Sequence, residues 1–385
     1  MAGGVVCGVR NSGRRDLGLL FSEHECTSAA VFTRNAVKGA PLVVTREAVE
    51  GGDVRAVVAN SGYANAATGR GGLEDAYRMQ TLAAEALGVE AEEVAVASTG
   101  VIGERLPMGR ISTGIEDAAT GLSRDGAGFA EAILTTDTRT KEAAVQVEVG
   151  GKIVTVGGTA KGSGMIHPNM GTMLAFLTTD AAVEKECLQE TLSNATNRSF
   201  NRVTVDGDTS PSDMAILLAN GAAGNELLTL DSPDYPAFAE AVESVARGLA
   251  KEIARDGEGA TRLVEVVVEG AEDEASAATL AKAVVGSSLV KAAVFGEDAN
   301  WGRVLTAMGY SGARFDPDGV ELWFGPVKVF GDGEPVAHEE AEANAALAAG
   351  EVRITARLNE GDASATAWGC DLTYEYVRIN GSYRT

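Results

Sequence analysis

The chain has 385 residues, 45% of them apolar, and is therefore long enough to bury a sizeable core. Its 55 acidic residues outnumber the 32 basic ones, and the net charge of −23 disfavours nucleic acids and anionic membranes as partners. There is no signal pattern and no apolar run long enough to span a bilayer, which predicts a cytoplasmic protein. The 9 Lys and 23 Arg favour a salt-loving host over an acidic protein from a high-GC mesophile, because acidic, lysine-poor surfaces stay hydrated in salt.

Strand and helix signals alternate through the first half of the chain. Short buried runs that end in turn formers indicate strands, and apolar residues spaced three to four apart indicate a helix. Gly150 and Gly151 supply the positive φ values that a tight hairpin turn needs. The patterns predict strands over residues 53–60 and 94–97, a helix over 73–87 and a hairpin over 145–156.

The alternation continues through the second half, without an internal repeat. The patterns predict strands over residues 173–179, 262–269, 320–330 and 351–358, and helices over 183–197, 235–254 and 274–284. A further helix is predicted over 210–219, with Asp208 or Thr209 as its cap. Interleaved strands and helices predict an α/β or α+β fold in which layered sheets are covered by helices.

The segment 157–180 is the most informative part of the sequence. Small residues and turn formers lead to Gly171, and a β-like apolar run starts at Thr172. A permissive residue before a hydroxyl residue suits self-cleavage, because the hydroxyl must reach the preceding carbonyl carbon through a bent backbone. The cut would divide the chain into residues 1–171 and 172–385. The alternative interpretation of a Gly-Thr pair entering a strand is an ordinary turn.

Cleavage at this position would give Thr172 a free α-amine. Such an amine has a pKa of about 7.7–8.0, so near pH 7–8 part of it is neutral and can accept the proton of the threonine hydroxyl. One residue then supplies both nucleophile and base, and no Ser-His-Asp arrangement is needed. His167, one of three histidines, is the weaker alternative as a general base.

The sequence contains no metal-ligand pattern. The four cysteines show no C-x-x-C spacing and do not cluster with the histidines, so they are predicted to be buried free thiols rather than zinc ligands. Asp206, Asp208 and Asp213 superficially resemble a calcium loop, but the 12-residue spacing and the closing Glu are missing. We therefore predict neither a metal nor another cofactor.

Seven stretches, spread nearly from end to end, resemble the ornithine acetyltransferase family, also called the ArgJ family. They are NSGYANAATG (60–69), STGVIGERLPM (98–108), TTDT (135–138), AKGSGMIHPNMGTMLAFLTTDA (160–181), FNRVTVDGDTSPSD (200–213), VKAAVFGEDANWGR (290–303) and INGSYRT (379–385). The family usually has Ala before the nucleophile, where this chain has Gly171. The resemblance implies a sandwich of two β-sheets flanked by helices, with Thr172 as the nucleophile.

Thr99 and Gly100 follow a predicted strand. A Thr hydroxyl and a Gly amide at such a point can aim at one spot, as an oxyanion hole requires. An ordinary strand-ending turn is the alternative. The resemblance implies that the two residues stabilise the oxyanion that forms when Thr172 attacks.

The resemblance also implies a set of substrate-binding residues. Lys161 would pair with a carboxylate of an amino-acid substrate, and Glu297 with an amine. Thr136 is a near-equal alternative to Thr135. The implied set is Thr135, Lys161, Thr172, Glu297, Asn380 and Thr385.

The activity implied by the resemblance is acetyl transfer from N-acetylornithine to glutamate, a step of arginine biosynthesis. The two fragments would stay together and pair again as an α2β2 heterotetramer. One rival is an aminopeptidase or amidase with the same nucleophile, and another is an uncleaved amino-acid-binding protein. The residues leave open whether acetyl-CoA also serves as a donor.

Overall fold

The computed structural model describes residues 1–10, 12–167 and 173–382, and the strands of this part of the chain form three sheets. The strands are β1 (Ala2–Val5), β2 (Leu17–Phe21), β3 (Thr27–Phe32), β4 (Ala56–Tyr63), β5 (Val94–Val101), β6 (Lys141–Val149), β7 (Lys152–Lys161), β8 (Leu174–Thr179), β9 (Val203–Thr204), β10 (Met214–Ala219), β11 (Leu263–Ala271), β12 (Glu321–Phe324), β13 (Val327–Gly331), β14 (Glu334–Pro335), β15 (Glu351–Arg357) and β16 (Ala363–Cys370).

Helices lie between about half of the consecutive strands in the described ranges. They are α1 (Ala40–Gly51), α2 (Gly69–Leu87), α3 (Met108–Thr120), α4 (Ala127–Ala132), α5 (Lys185–Arg198), α6 (Tyr235–Arg255), α7 (Glu274–Gly286), α8 (Ser288–Phe295), α9 (Trp301–Gly309), α10 (Glu340–Leu347) and α11 (Tyr374–Ser382). No single helix in the described ranges is long and apolar enough to cross a bilayer; α7 and α8 pass that test only as a pair, bent by 56°.

Two of the sheets pack face to face. Sheet A has the strand order β1-β2-β4-β5, and sheet B has the order β3-β10-β8-β7-β6. Val57 and Ala97 of sheet A share one core cluster with Phe176 and Ile216 of sheet B. Side chains alternate between the two faces of a strand, so the other face of each sheet needs its own cover.

Helices supply that cover. Val96 of sheet A packs with Met79 of α2 and Ile115 of α3. On the far side, Leu188 of α5 and Leu249 of α6 join the core cluster that covers sheet B. The layers therefore run helix, sheet, sheet, helix, which confirms the expected sandwich of two sheets flanked by helices.

A third sheet, sheet C, was not expected as a separate layer. Its strand order is β14-β13-β12-β15-β11-β16-β9. One face packs on α7 and α9 through aliphatic side chains such as Val266, and the other reaches α6 through Leu263 and Trp368. The chain then continues from β16 into α11, which returns towards sheets A and B.

The expected cleavage position falls on a connection within sheet B. Strands β7 and β8 are antiparallel neighbours, and Lys161 at the end of β7 pairs with Leu174 at the start of β8. Gly171 and Thr172 lie in the connection between these strands and outside the described residues. A cut between them would sever this connection and leave the ladder between the two strands intact.

The predicted helix over residues 210–219 is wrong. Met214–Ala219 forms β10, which lies inside sheet B between β8 and β3. All six residues are buried, and such a short continuous apolar run has no periodicity that separates a buried strand from a buried helix. The predicted strand over 320–330 is two strands, β12 and β13, which turn at Gly325 with φ +53°.

Candidate active site

A cavity of about 210 Å³ lies where β5 and β7 end and where β8 and β10 begin. Its walls come from both sides of the expected cleavage position, and Met173 is among the residues that line it. The predicted site residues on these walls are Thr99, Gly100, Thr135, Thr136, Lys161 and Asn380. Segments far apart in sequence are therefore brought to one place next to the residue that follows Thr172.

Thr99 and Gly100 do not follow a strand that ends at residue 97, as expected, but lie within β5 near its end, paired with β4. Gly100 has φ +132°, and a Cβ there would overlap the backbone of Gly62, so glycine is required. The Lys161 Nζ donates a hydrogen bond of 3.3 Å to the Thr99 Oγ1. An ammonium can only donate, so the hydroxyl accepts here and keeps its own hydrogen for an acceptor in the cavity.

Lys161 is a buried cation in the cavity wall. Burial lowers its pKa, and the nearby charge of Asp137 opposes that shift. Burial alone would raise the pKa of Asp137, but Lys161 and Lys141 outweigh it and hold that pKa below its usual range. Asp137 thus favours the charged form of Lys161 against the effect of burial, in a place where water is scarce, and a charged Lys161 suits recognition of a carboxylate.

A buried ion triad supports this part of the cavity. The Lys141 Nζ donates to the Asp137 Oδ1 at 2.7 Å and to the Asp256 Oδ2 at 2.6 Å. The Asp137 carboxylate also accepts the backbone N–H groups of Gly162 at 2.7 Å and of Thr135 at 3.0 Å. The triad thus fixes the segments that carry Thr135 and Lys161. Sequence reasoning missed it, although Asp137 lies inside the TTDT stretch.

Glu297 is not brought to the cavity. It lies in the turn after α8, its side chain is half exposed, and its carboxylate pairs with the Arg262 guanidinium. Acidic residues that do line the cavity are Asp206, Asp208, Asp213 and Glu258. Of these, Glu258 is buried and accepts a hydrogen bond of 2.7 Å from the Asn380 amide. A Cβ on Gly164 would overlap the Glu258 carboxylate, so the loop before the cleavage position is shaped around this group.

Sequence reasoning missed Glu258, although one signal was present. The residue stands between Gly257 and Gly259, directly after the long helix α6. A carboxylate between two glycines is free of neighbouring side chains and sits on a backbone that can turn sharply. Such a group after a helix is a better candidate for a cavity than Glu297, which pairs with the Arg262 guanidinium.

The remaining predicted residues are placed as follows. Asn380 projects from α11, while Thr385 lies outside the described residues. His167 does not line the cavity; its Nδ1 lies 2.9 Å from the Thr204 hydroxyl, and burial lowers its pKa to about 4. That placement does not favour His167 as a general base. In residues 1–10, 12–167 and 173–382, no three His, Cys, Asp or Glu side chains are grouped to hold a metal.

Comparisons with known proteins identify the family of the chain. The profile of the ArgJ family matches residues 1–385. The arginine biosynthesis bifunctional protein ArgJ of Symbiobacterium thermophilum is 58% identical, over 100% of this chain and 96% of that protein. The protein of the same name from Bacillus subtilis is 51% identical, over 100% and 94%.

One solved structure is also similar. It is a crystal structure of arginine biosynthesis bifunctional protein ArgJ from Bacillus halodurans, 49% identical with a TM-score of 0.54, and the match covers 55% of this chain and 100% of that one. The family profile spans the whole chain, and relatives at 50% identity or more are covered almost completely. The chain is therefore a member of the ArgJ family.

Proposed function

We propose that this protein transfers an acetyl group from N-acetylornithine to glutamate, releasing ornithine and forming N-acetylglutamate. One observation carries the proposal: the cavity gathers Thr99, Gly100 and Lys161 beside Met173, the neighbour of Thr172. The names of the relatives, all proteins of arginine biosynthesis, support the same reaction.

The proposal begins with self-cleavage. The Thr172 hydroxyl attacks the carbonyl carbon of Gly171, the peptide bond becomes an ester, and water hydrolyses the ester. The products are residues 1–171 and 172–385. The antiparallel pairing of β7 with β8 supports this step, because the fragments remain joined through sheet B. The solved chain from Bacillus halodurans matches 55% of this chain over its whole length, a share similar to that of residues 172–385.

The transfer then follows from the freed Thr172. Its α-amine takes the proton of the hydroxyl, and the hydroxyl oxygen attacks the acetyl carbonyl of N-acetylornithine. The Thr99 hydroxyl and the Gly100 amide stabilise the oxyanion, and ornithine leaves with the returned proton. Glutamate then attacks the threonine ester, takes the acetyl group and regenerates the free hydroxyl. The reaction is ping-pong.

Charged and polar groups of the cavity recognise the amino acid. The buried ammonium of Lys161 pairs with the substrate carboxylate, and its hydrogen bond to Thr99 places that carboxylate near the reacting carbonyl. Thr135, positioned by Asp137, contributes a hydroxyl to the same wall. Glu258, rather than Glu297, pairs with an amine of the substrate, and the hydrogen bond from Asn380 orients its carboxylate.

The same proposal covers the donor. A cavity of about 210 Å³ suits a small acetylated amino acid, and the net charge of −23 repels a nucleotide with several phosphates. We therefore expect N-acetylornithine to be preferred over acetyl-CoA. The comparison is of kcat/KM for acetylglutamate formation with each donor, and an equal or higher value with acetyl-CoA would contradict the expected preference.

The test of the activity is an acetyl-transfer assay on the purified protein. N-acetylornithine is supplied with and without glutamate, and N-acetylglutamate, ornithine and acetate are measured. We expect ornithine release to depend on glutamate and to match N-acetylglutamate formed. Acetate release at the same rate without glutamate would instead identify a hydrolase of the aminopeptidase or amidase kind.

The proposal also includes the setting of the enzyme. A biosynthetic role supports a cytoplasmic location, and the fragments are expected to assemble as an α2β2 heterotetramer. Native mass spectrometry distinguishes that assembly from a single pair of fragments. The salt-loving host proposed from the charge of −23 is tested by the salt dependence of stability described below.

A further inference from the structure

Asp213 occupies a special place beside the start of β8. It directly precedes β10, whose first residue, Met214, pairs in parallel with Leu174. The Met214 N–H donates to the carbonyl oxygen of Met173 at 2.9 Å. Asp213 lines the cavity at this point and is 2% exposed. Its carboxyl group therefore stands at the end of the cavity where the acetyl group must react.

The Asp213 carboxyl has an unused acceptor. Across residues 1–10, 12–167 and 173–382, no group donates a hydrogen bond to its Oδ2. Two other carboxylates of the cavity wall are paired: Glu258 accepts from the Asn380 amide, and Asp206 accepts the backbone N–H groups of Met165 and Ile166. Buried carboxyl oxygens are normally hydrogen-bonded, so an unpaired one in a cavity wall indicates that a ligand supplies the donor.

The neighbouring Lys161 supports an amine as that donor. Lys161 contacts Thr99 and offers a positive charge to a carboxylate, while Asp213 offers an acceptor near the same end. An amino acid carries its carboxylate and its α-nitrogen on one carbon. A ligand whose carboxylate meets Lys161 near the oxyanion hole therefore presents its α-nitrogen, the atom that gives up or receives the acetyl group, to the same region.

We propose that the Oδ2 of Asp213 binds the α-ammonium group of the amino acid, ornithine as it leaves and glutamate as it arrives. This inference rests on the proposed function and adds the residue that recognises the reacting nitrogen. The α-nitrogen of N-acetylornithine is part of an uncharged amide. Its N–H can donate a hydrogen bond to the same oxygen while the Asp213 carboxyl is neutral.

The charge state of Asp213 gives the proposal a measurable signature. Burial raises the pKa of its carboxyl well above the usual value and outweighs the hydrogen bonds from Ser210 and the charge of Lys161. The shift lets the protonated acid persist to a higher pH than in an ordinary carboxyl group. When an α-ammonium binds, its charge favours the carboxylate, and the proton leaves Asp213 for the solvent while the ammonium keeps its own protons.

The experiment is isothermal titration of the cleaved protein with ornithine and with 5-aminopentanoate, which lacks only the α-amine. The variants are Asp213→Asn and, as a matched control, Asp231→Asn, which removes an exposed carboxylate that does not line the cavity. We expect the wild type and the control to prefer ornithine by about 10- to 100-fold, the usual value of a charge-assisted hydrogen bond. Asp213→Asn should reduce the preference to about threefold or less.

Titrations in buffers of different ionisation enthalpy supply a second readout that needs no variant. Over a range of pH, ornithine should release more protons from the wild type than 5-aminopentanoate does. An unchanged preference in a folded Asp213→Asn protein, or equal proton release with both ligands, overturns the inference. Either result with normal acetyl transfer leaves the proposed function standing, whereas a wild type without transfer activity contradicts that function itself.

Discussion

The sandwich and sheet C are built by the same rule, a sheet covered by helices, but they treat charge differently. At the open end of the sandwich, the ion triad of Lys141, Asp137 and Asp256 is buried below the cavity. Sheet C has an apolar core, and pairs such as Arg357 with Glu269 lie half exposed on its strands. The triad at the cavity is buried at a cost in desolvation that these half-exposed pairs avoid.

The largest effect should come from Thr172→Ala. Ala has no hydroxyl, so we expect neither cleavage nor transfer, and a single chain of 39.6 kDa. Thr172→Ser should cleave and keep part of the activity. Intact mass spectrometry and the transfer assay check both variants. An alanine variant that still forms N-acetylglutamate would show that Thr172 is not the nucleophile. The sandwich would then no longer be distinguished from sheet C by carrying the catalytic residue.

Lys141→Met tests the energetic side of the comparison. The change leaves two buried carboxylates without their cation, and we expect a loss of about 3–5 kcal/mol in the free energy of unfolding. Arg357→Ala breaks a half-exposed pair of sheet C and should lose less than about 1 kcal/mol. Urea unfolding of both variants, with the cleaved wild type as reference, measures the two losses in unfolding free energy. Equal losses would refute the claim that the buried triad contributes more to stability than the half-exposed pair.

The triad also has a definite pH dependence. The pKa of Asp137 is held below its usual range, so the stabilising contribution is complete above about pH 4, the pKa of an unfolded Asp. It is lost as the pH falls towards the folded value. The difference in unfolding free energy between wild type and Lys141→Met should therefore narrow in acid, and a difference that widens would contradict this assignment.

Thr99→Ala should slow turnover by about 10²–10³-fold, the usual effect of losing one oxyanion donor. The effect should fall on kcat more than on KM, because the hydroxyl acts on the charge that develops in the reaction. Steady-state kinetics of the cleaved variant decide the point. A kcat within twofold of the wild type would show that Thr99 only orients Lys161 and does not stabilise the oxyanion.

Salt should give the smallest and broadest effect. The net charge of −23 is self-repelling, and at 1 M salt the screening length is about 3 Å, so we expect the melting temperature to rise with KCl. The loss in Lys141→Met should stay nearly constant with salt, and that in Arg357→Ala should disappear. A melting temperature that is flat or falls with KCl would refute the salt-loving host.

The sequence predicted local features better than contacts. Alternating strands and helices follow from periodicity, and the resemblance to the family supplied both the sandwich and the residues Thr99, Gly100 and Lys161, which do share one cavity. Periodicity could not assign Met214–Ala219, because an apolar strand inside a sheet is hydrophobic on both faces.

The groups that were missed act over long sequence separations. Lys141 and Asp256 are 115 residues apart and meet only because β6 lies beside α6. Glu258 reaches the cavity because the turn after α6 folds against the loop at Gly164. The side-chain type of Glu297 fitted the expected role, but the sequence does not show its ion pair with Arg262, which only the folded structure reveals.

The central claim is that Thr172 carries the acetyl group inside a cavity built from both fragments. The most direct measurement mixes the cleaved protein with N-acetylornithine in the absence of glutamate, denatures it in acid and determines the mass of each fragment. The account predicts one added acetyl group on the fragment that begins at Thr172, removed when glutamate is added first. An unmodified fragment 172–385 under conditions that release ornithine, or an acetyl group on fragment 1–171, would contradict it.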